Sequence, residues 1–400
     1  MKNIMFVHYG NDWIRGSEVV LLEMLNSSIK QGNKAILWCN SNTLADAASA
    51  IGVHVIVDRF VCIGYWTLPK WDIKQYLKSL LKAKSIIREF SIDIVHCNNG
   101  APCQWMSPIC KYLKVPLFLH LHARYQQRDR FILLFHLADR IIGVSKAVLA
   151  LFKQDEFKAS KLSVVYNGIS AKRVISHQPI DIRSLINAGD NDRVVLFIGS
   201  LIPRKGLETL INAIAKVRKS HSIKLAIFGS GEQQDSLSKL IKKLSLQKDI
   251  FIFPPVMDVG KLYASNANYF ISVPTEEVFG LTLAEASLAG LAIISTNVPG
   301  VNEIYTHQRN ALLIAPNNVE QLSQEITRLI NSPKFAEQLA YNAKNHIKKH
   351  FSVAKQVIEI GEQYNLLMQA NLPSFTLCTV QYFKVLMMSS VKKLSLKLKY

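Results

Sequence analysis

Short apolar runs alternate with longer amphipathic stretches along most of the chain. The runs NIMFVHY, KAILWC, VHVIV, DIVHC, VPLFLHL, RIIGVS and LSVVY form a first series, and RVVLFIGS, IKLAIFGS, DIFIFPP, NYFISVP and LAIIST form a second. Apolar runs of this length, spaced by helix-period segments, are the pattern of parallel strands covered on both faces by crossover helices. Two such series predict an α/β protein with two Rossmann-like domains. Between them, SAKRVISHQPIDIRSLINAGDNDR is poor in apolar residues and carries Pro179 and Gly189, which marks a connector. The expected division is residues 1–178, residues 179–350, and residues 351–400, the last a helix from about Ser352 to Gln369 followed by a basic tail.

Composition narrows this picture. With 400 residues, 49% of them hydrophobic and 19% charged, the chain has material for two cores, and disorder is excluded as its main state. The opening MKNIMFVHYGNDWIRG lacks the apolar core of a signal peptide. No run approaches the roughly 18 apolar residues of a membrane span, so a cytoplasmic location is expected. Cys39, Cys62, Cys97, Cys103, Cys110 and Cys378 form no C-x-x-C pair and read as reduced packing residues. No metal site is indicated; Asp190 to Asp192 mimic D-x-D but precede a strand rather than follow one. The net charge of +19 predicts an anionic partner: nucleic acid, an anionic bilayer or a phosphorylated small molecule.

Ligands of doubly wound sheets bind beyond the carboxyl ends of the strands, and the distinctive residues of this chain fall just after strands. They are HYGNDWIRGSEVV with Gly10 and Gly16, GSLIPRKGLETL, GSGEQQDSL, and PTEEVFGLTLAEA. In the last, Gly280 permits close backbone approach, and the amides of Leu281, Thr282 and Leu283 would open a helix ending at Gly290, a natural diphosphate seat. Arg204 and Lys205 follow another strand of the same sheet and can neutralise a departing diphosphate. Carboxylates beside such a seat make sense as hydroxyl acceptors, Glu285 for a ribose and Glu277 for a sugar. Plainer readings stand beside these. Thr282 to Glu285 fits a capping box, Arg204 and Lys205 fit a solvated turn, and Gly229 with Gly231 is a weak, partial G-x-G-x-x-G.

Taken in order, RGSEVVLLEML, FLHLHAR, IIGVS, VVYNGIS, FIGSLIPRKG, AIFGSGE, EEVFGLTLAEASLAG and PGVNEI resemble the family-4 retaining glycosyltransferases of GT-B fold, across residues 1 to about 370. The E-x7-E element from Glu277 to Glu285, with Phe279 and Gly280 inside it, is the most specific part. The resemblance implies two facing Rossmann-like domains, the C-terminal one holding a nucleotide-sugar donor and the N-terminal one the acceptor. It also implies metal-independent hexosyl transfer with retention, by front-face displacement in which the leaving diphosphate oxygen takes the acceptor's proton. By position, Glu277 would contact the donor sugar, Glu285 the ribose, and the amides around Gly280, Leu281 and Thr282 the phosphates. Lys205 would clamp the diphosphate, Gly16 belongs to the glycine-rich first loop, and His122 faces the reaction centre, with His120 as a possible substitute. Ser200 stands where the family carries an arginine, so Arg204 is expected to supply that charge. The family's paired glycines read Arg15-Gly16 and Pro299-Gly300 here. A UDP-sugar is the expected donor over a GDP-sugar, and a glycan or lipid-linked acceptor of cell-surface polysaccharide or lipopolysaccharide synthesis the expected acceptor.

The remaining charge has its own pattern. Lys70, Lys74, Lys78 and Lys82 form an i, i+4 stripe beside an expected apolar face of Ile73, Leu77, Leu80 and Ile87, and the tail has five lysines and no acidic residue. Like charges at this spacing destabilise a helix unless an external anion relieves them. Docking on an anionic membrane surface is expected, against the alternative of a solvated helix face. No nucleic-acid-binding motif accompanies the charge, so nucleic acid is not expected as a partner. A sugar-nucleotide epimerase on the same fold is the alternative activity.

Overall fold

The computed structural model describes residues 1–64, 71–155 and 157–370. Both series of apolar runs are parallel sheets. The first comprises β1 (Asn3–His8), β2 (Lys34–Cys39), β3 (His54–Val57), β4 (Ile94–Cys97), β5 (Leu117–Leu121), β6 (Arg140–Gly143) and β7 (Leu162–Val164), in the order β3-β2-β1-β4-β5-β6-β7. The second comprises β8 (Arg193–Ile198), β9 (Ile223–Phe228), β10 (Ile250–Phe253), β11 (Tyr269–Ser272), β12 (Ala292–Thr296) and β13 (Leu312–Ile314), in the order β10-β9-β8-β11-β12-β13. The β13 strand was not foreseen. Its three residues are too short a run to stand out, and pairing with Ile294, Ser295 and Thr296 of β12 makes it a strand.

Strand order reverses between β1 and β4 in one sheet and between β8 and β11 in the other. Loops that leave neighbouring strands in opposite directions open a crevice at such a point. In the second unit the two loops are those carrying Lys205 and Glu277; in the first they carry the residues after His8 and after Cys97.

Two compact units result, Met1–Tyr166 together with the chain from Gln356, and Asn167–Lys355. The final helix, Val353–Gln369, is held to the first sheet by polar contacts: Tyr364 Oη with His96 Nδ1, Arg140 Nε donating to Gln363 Oε1 at 2.7 Å, and Lys2 Nζ donating to Asn365 Oδ1 at 2.6 Å. Part of the expected connector is ordered within the second unit as short turns, Ala171–Val174 and Ile182–Leu185, the latter started by Asp181 accepting from the Ser184 amide.

Cys39, Cys62, Cys97, Cys103 and Cys110 are buried thiols, and burial pushes those of Cys62 and Cys103 up to about 12. Cys378 lies outside the described residues. Among the described residues no helix is long and apolar enough to cross a membrane.

The expected apolar face of the lysine-bearing helix needs correction. Helix Ile73–Glu89 turns Ser79, Ala83, Ile86 and Ile87 inward, where small residues let it sit close to its neighbours. Ile73 is 58%, Leu77 52% and Leu81 69% exposed, and Leu80 is half-buried, so the apolar ridge at i, i+4, i+8 faces solvent beside Lys74, Lys78 and Lys82. Lys70 and the C-terminal tail from residue 371 lie outside the described residues.

Candidate active site

The loop after β8 makes a tight turn over Pro203–Lys205 and reaches Gly206 at φ +69°. A Cβ on Gly206 would stand 2.0 Å from the Val273 carbonyl oxygen, so only glycine lets this loop lie against the end of β11. The Thr275 amide donates to Arg204 O at 2.9 Å, tying the two loops together. Gly300, at φ +93°, supports the second loop from behind; a Cβ there would stand 2.6 Å from the Val278 carbonyl carbon. The Pro299-Gly300 pair thus has a packing cause.

Held this way, Lys205 Nζ is 2.6 Å from Glu277 Oε2, and Arg204 Nη1 is 4.0 Å from the same oxygen. The Val278 amide donates to Glu277 Oε1 at 3.0 Å. Glu277 is buried, which by itself raises its pKa; Lys205, the Val278 amide and Arg204 outweigh that and hold the carboxyl below its ordinary value. Lys205 is half-buried and Arg204 exposed.

Three residues further on, Gly280 (φ +88°) starts the helix Leu281–Ala289, which Gly290 (φ +96°) ends. The first amide to bond back is that of Ala284, to Gly280 O at 3.1 Å, so the amides of Leu281, Thr282 and Leu283 have no intrahelical acceptor. The first turn carries no acidic side chain, and Leu281 and Thr282 are half-buried, so the partial positive charge of this end is available to an anion.

Glu285 does not cap its own helix. Its carboxylate accepts from Tyr263 Oη at 3.0 Å and from Arg173 Nε at 2.8 Å. Neither Tyr263 nor Arg173 was foreseen, because the chain separations of 22 and 112 residues leave no local signal. Phe279 is buried, with its ring 5.9 Å from that of Phe351. Ser200 is half-exposed in the Lys205 loop. Gly229 faces that loop: a Cβ would stand 1.8 Å from Gly199 O, and one on Gly231 2.3 Å from Leu201 O, so close packing of two loops accounts for both glycines.

In the first unit, Gly16 opens the helix Gly16–Lys30, with Arg15 before it stacked 3.6 Å over the Trp13 ring. His122 follows β5, half-buried, with Nε2 3.2 Å from Asn98 Oδ1. His120 points the same way but deeper. It is fully buried, its ring 4.2 Å from that of His122 and 5.3 Å from that of His96, so His122 is the outer of the two.

Fold and site together define a class: a two-sheet GT-B protein whose second sheet carries a cationic loop, a buried carboxylate and an open helix N-terminus at its switch point. The model of Glycosyltransferase Family 4 matches residues 14–173 and that of Glycosyl transferases group 1 matches residues 181–346. The chain belongs to the family-4 glycosyltransferases and is a glycosyltransferase. An uncharacterized glycosyltransferase of Methanocaldococcus jannaschii is 30% identical over 55% of this chain and 59% of its own length, so the chain spans less than two thirds of that relative. Alpha-monoglucosyldiacylglycerol synthase of Streptococcus pneumoniae is 25% identical over 56% of each chain. The structure of Anabaena HepE in complex with UDP-glucose superposes with a TM-score of 0.78 at 22% identity, covering 92% of this chain and all of that one (100%).

Proposed function

We propose that this enzyme transfers a hexose from a UDP-sugar to a glycan or lipid-linked acceptor, with retention at the anomeric carbon and without a metal ion. The observation that carries the reading is the Lys205–Glu277 contact beside the open end of the Leu281–Ala289 helix. In this reading the amides of Leu281 and Thr282 receive the diphosphate, and Lys205 and Arg204 stabilise the charge that grows on the leaving oxygen, the task a metal performs elsewhere. Glu277 accepts from donor-sugar hydroxyls and Glu285 from the ribose diol, exchanging Arg173 or Tyr263 for the ligand. His122 takes the role of the reaction-centre histidine that the family resemblance implies. Front-face displacement, the route that the resemblance to family-4 enzymes implies, is the proposed route to retention. The HepE complex with UDP-glucose supports UDP as the nucleotide. UDP is expected to raise the melting temperature more than GDP at equal concentration; a larger shift with GDP would reverse the choice. Product formed in the presence of EDTA, with its anomeric configuration read by NMR, tests metal independence and retention together.

The acceptor side of the proposal is an anionic membrane surface, consistent with a lipid acceptor as in the Streptococcus pneumoniae synthase. The exposed ridge Ile73, Leu77 and Leu81 beside Lys74, Lys78 and Lys82 offers apolar insertion and cationic contact on one helix face. At ~1 kcal/mol per basic residue near such a surface, replacing the three lysines by glutamate should weaken binding to anionic vesicles by roughly 100-fold or more at low salt. Binding that is unchanged in this variant, or in Leu77→Ser/Leu81→Ser, would remove this helix from the docking face. The proposed place of work is the inner face of the plasma membrane.

A further inference from the structure

We propose that Glu18, His8 and Asn98 form a positioning chain that fixes His122 as its Nε2–H tautomer and presents the bare Nδ1 to a substrate hydroxyl. The proposal rests on the placement of His122 at the reaction centre.

The hydrogen-bond directions start at a carbonyl, which can only accept. Asn98 Nδ2 lies 3.1 Å from Ser17 O, so that end of the side chain is the amino group. The same amino group is 3.2 Å from His8 Nδ1, which must therefore accept. A neutral His8 then carries its proton on Nε2 and donates to Glu18 Oε1 at 2.8 Å. The other Glu18 oxygen takes the Arg15 amide at 3.0 Å, so the carboxylate cannot swing away. Asn98 has only Oδ1 left, and this lies 3.2 Å from His122 Nε2, which must donate. The proton of His122 is thus assigned to Nε2 and the lone pair to Nδ1.

Burial makes the assignment firm. Exposure is 1% at His8, 0% at Asn98 and 5% at Glu18, so water does not compete for these bonds. Burial acts to raise the Glu18 pKa, and the hydrogen bonds from His8 Nε2 and the Arg15 amide act to lower it, so the carboxylate is held as the acceptor of both. The titratable groups facing His122 are His8 from β1, Glu18 from the first helix, and His120 on its own strand, with His96 of β4 behind His120. Burial, His120 and His8 push His122 well below 6.5, which keeps it neutral at physiological pH. The chain also sits at the switch point of the first sheet: His8 ends β1, Asn98 directly follows β4, and His122 directly follows β5. Nothing in the roles assigned to Gly16 or His122 requires a glutamate at 18, a histidine at 8 or an asparagine at 98; the tautomer does.

The test uses full-length protein with 15N-labelled histidines, in which two-bond nitrogen–proton correlations read each tautomer, and His122→Gln identifies the signal. Wild type should show His122 protonated on Nε2 only; protonation on Nδ1 overturns the proposal, and this measurement needs no variant to fold. In Asn98→Ala the tautomer should mix, and kcat should fall roughly 10–100-fold, the range for partners that orient a histidine, at unchanged donor KM. Asn98→Asp keeps the acceptor for His122 Nε2 but loses the donor to Ser17 O and His8 Nδ1, so it should hold the His122 tautomer and recover kcat only in part, above a limb of the pH profile moved toward higher pH. A wild-type tautomer in Asn98→Ala would overturn the chain. Full activity of Asn98→Ala with a mixed tautomer would instead overturn the hydroxyl contact, and with it the place of His122 at the reaction centre.

Discussion

Glu277→Gln should lower the rate of sugar transfer by roughly 10²–10³-fold, as expected for loss of one preorganised polar partner of a transition state. The variant keeps the volume and one acceptor oxygen, so the loop geometry set by Gly206 and Gly300 is retained. What it removes is the charge that holds Lys205 at 2.6 Å and the strength of the hydroxyl contact. Lys205→Ala should fall by a similar factor, mainly in kcat, because the ammonium acts on charge that develops only as the diphosphate leaves. Since the two side chains touch, the double variant should lose much less than the product of the single losses. Initial rates with donor and acceptor, together with UDP-induced thermal shift as a check on nucleotide binding, measure this. Undiminished transfer by Glu277→Gln would end the assignment of this carboxylate to the donor sugar.

Asp155→Ala should destabilise the first unit by about 3–5 kcal/mol, the cost of leaving a buried charge without its partner. Arg130 Nε is paired with Asp155 Oδ2, both side chains almost fully buried, and Gln127 Nε2 donates to Asp155 Oδ1 at 2.8 Å. The guanidinium also donates to the carbonyls of Tyr125 and Leu151 and lies 5.1 Å over the Phe152 ring. These contacts keep it buried when the carboxylate is gone. An Arg130→Met/Asp155→Leu pair should recover most of the loss, because apolar residues of similar volume need no desolvation of charge. Urea unfolding followed by a probe in the first unit reads both; a loss under about 1 kcal/mol for Asp155→Ala would show that the arginine finds water or another acceptor.

Much of the fold was legible in the sequence, because a parallel strand buried on both faces announces itself as an uninterrupted apolar run. RVVLFI and IKLAIF need no partner to be recognised, whereas LLI at β13 does. The same contrast runs through the site. Glu277, Gly280 and Glu285 are close in the chain and start one helix, so their joint pattern is visible, and Lys205 was reachable because its loop follows another strand of the same sheet. Arg173 and Tyr263 on Glu285, and Glu18, His8 and Asn98 behind His122, meet only because crossover connections bring distant strand ends to one edge.

What the sequence determined by itself is therefore local and periodic: the strands other than β13, the helix start at Gly280, the lysine spacing from 74 to 82, and the residue types able to bind phosphate and hydroxyl. Tertiary structure alone decided which side of helix Ile73–Glu89 is covered, that Gly229 serves loop packing, and which atom of each polar side chain donates. The physical reason is that hydrophobic periodicity is written residue by residue, whereas burial and hydrogen-bond direction depend on the neighbours that folding brings into contact.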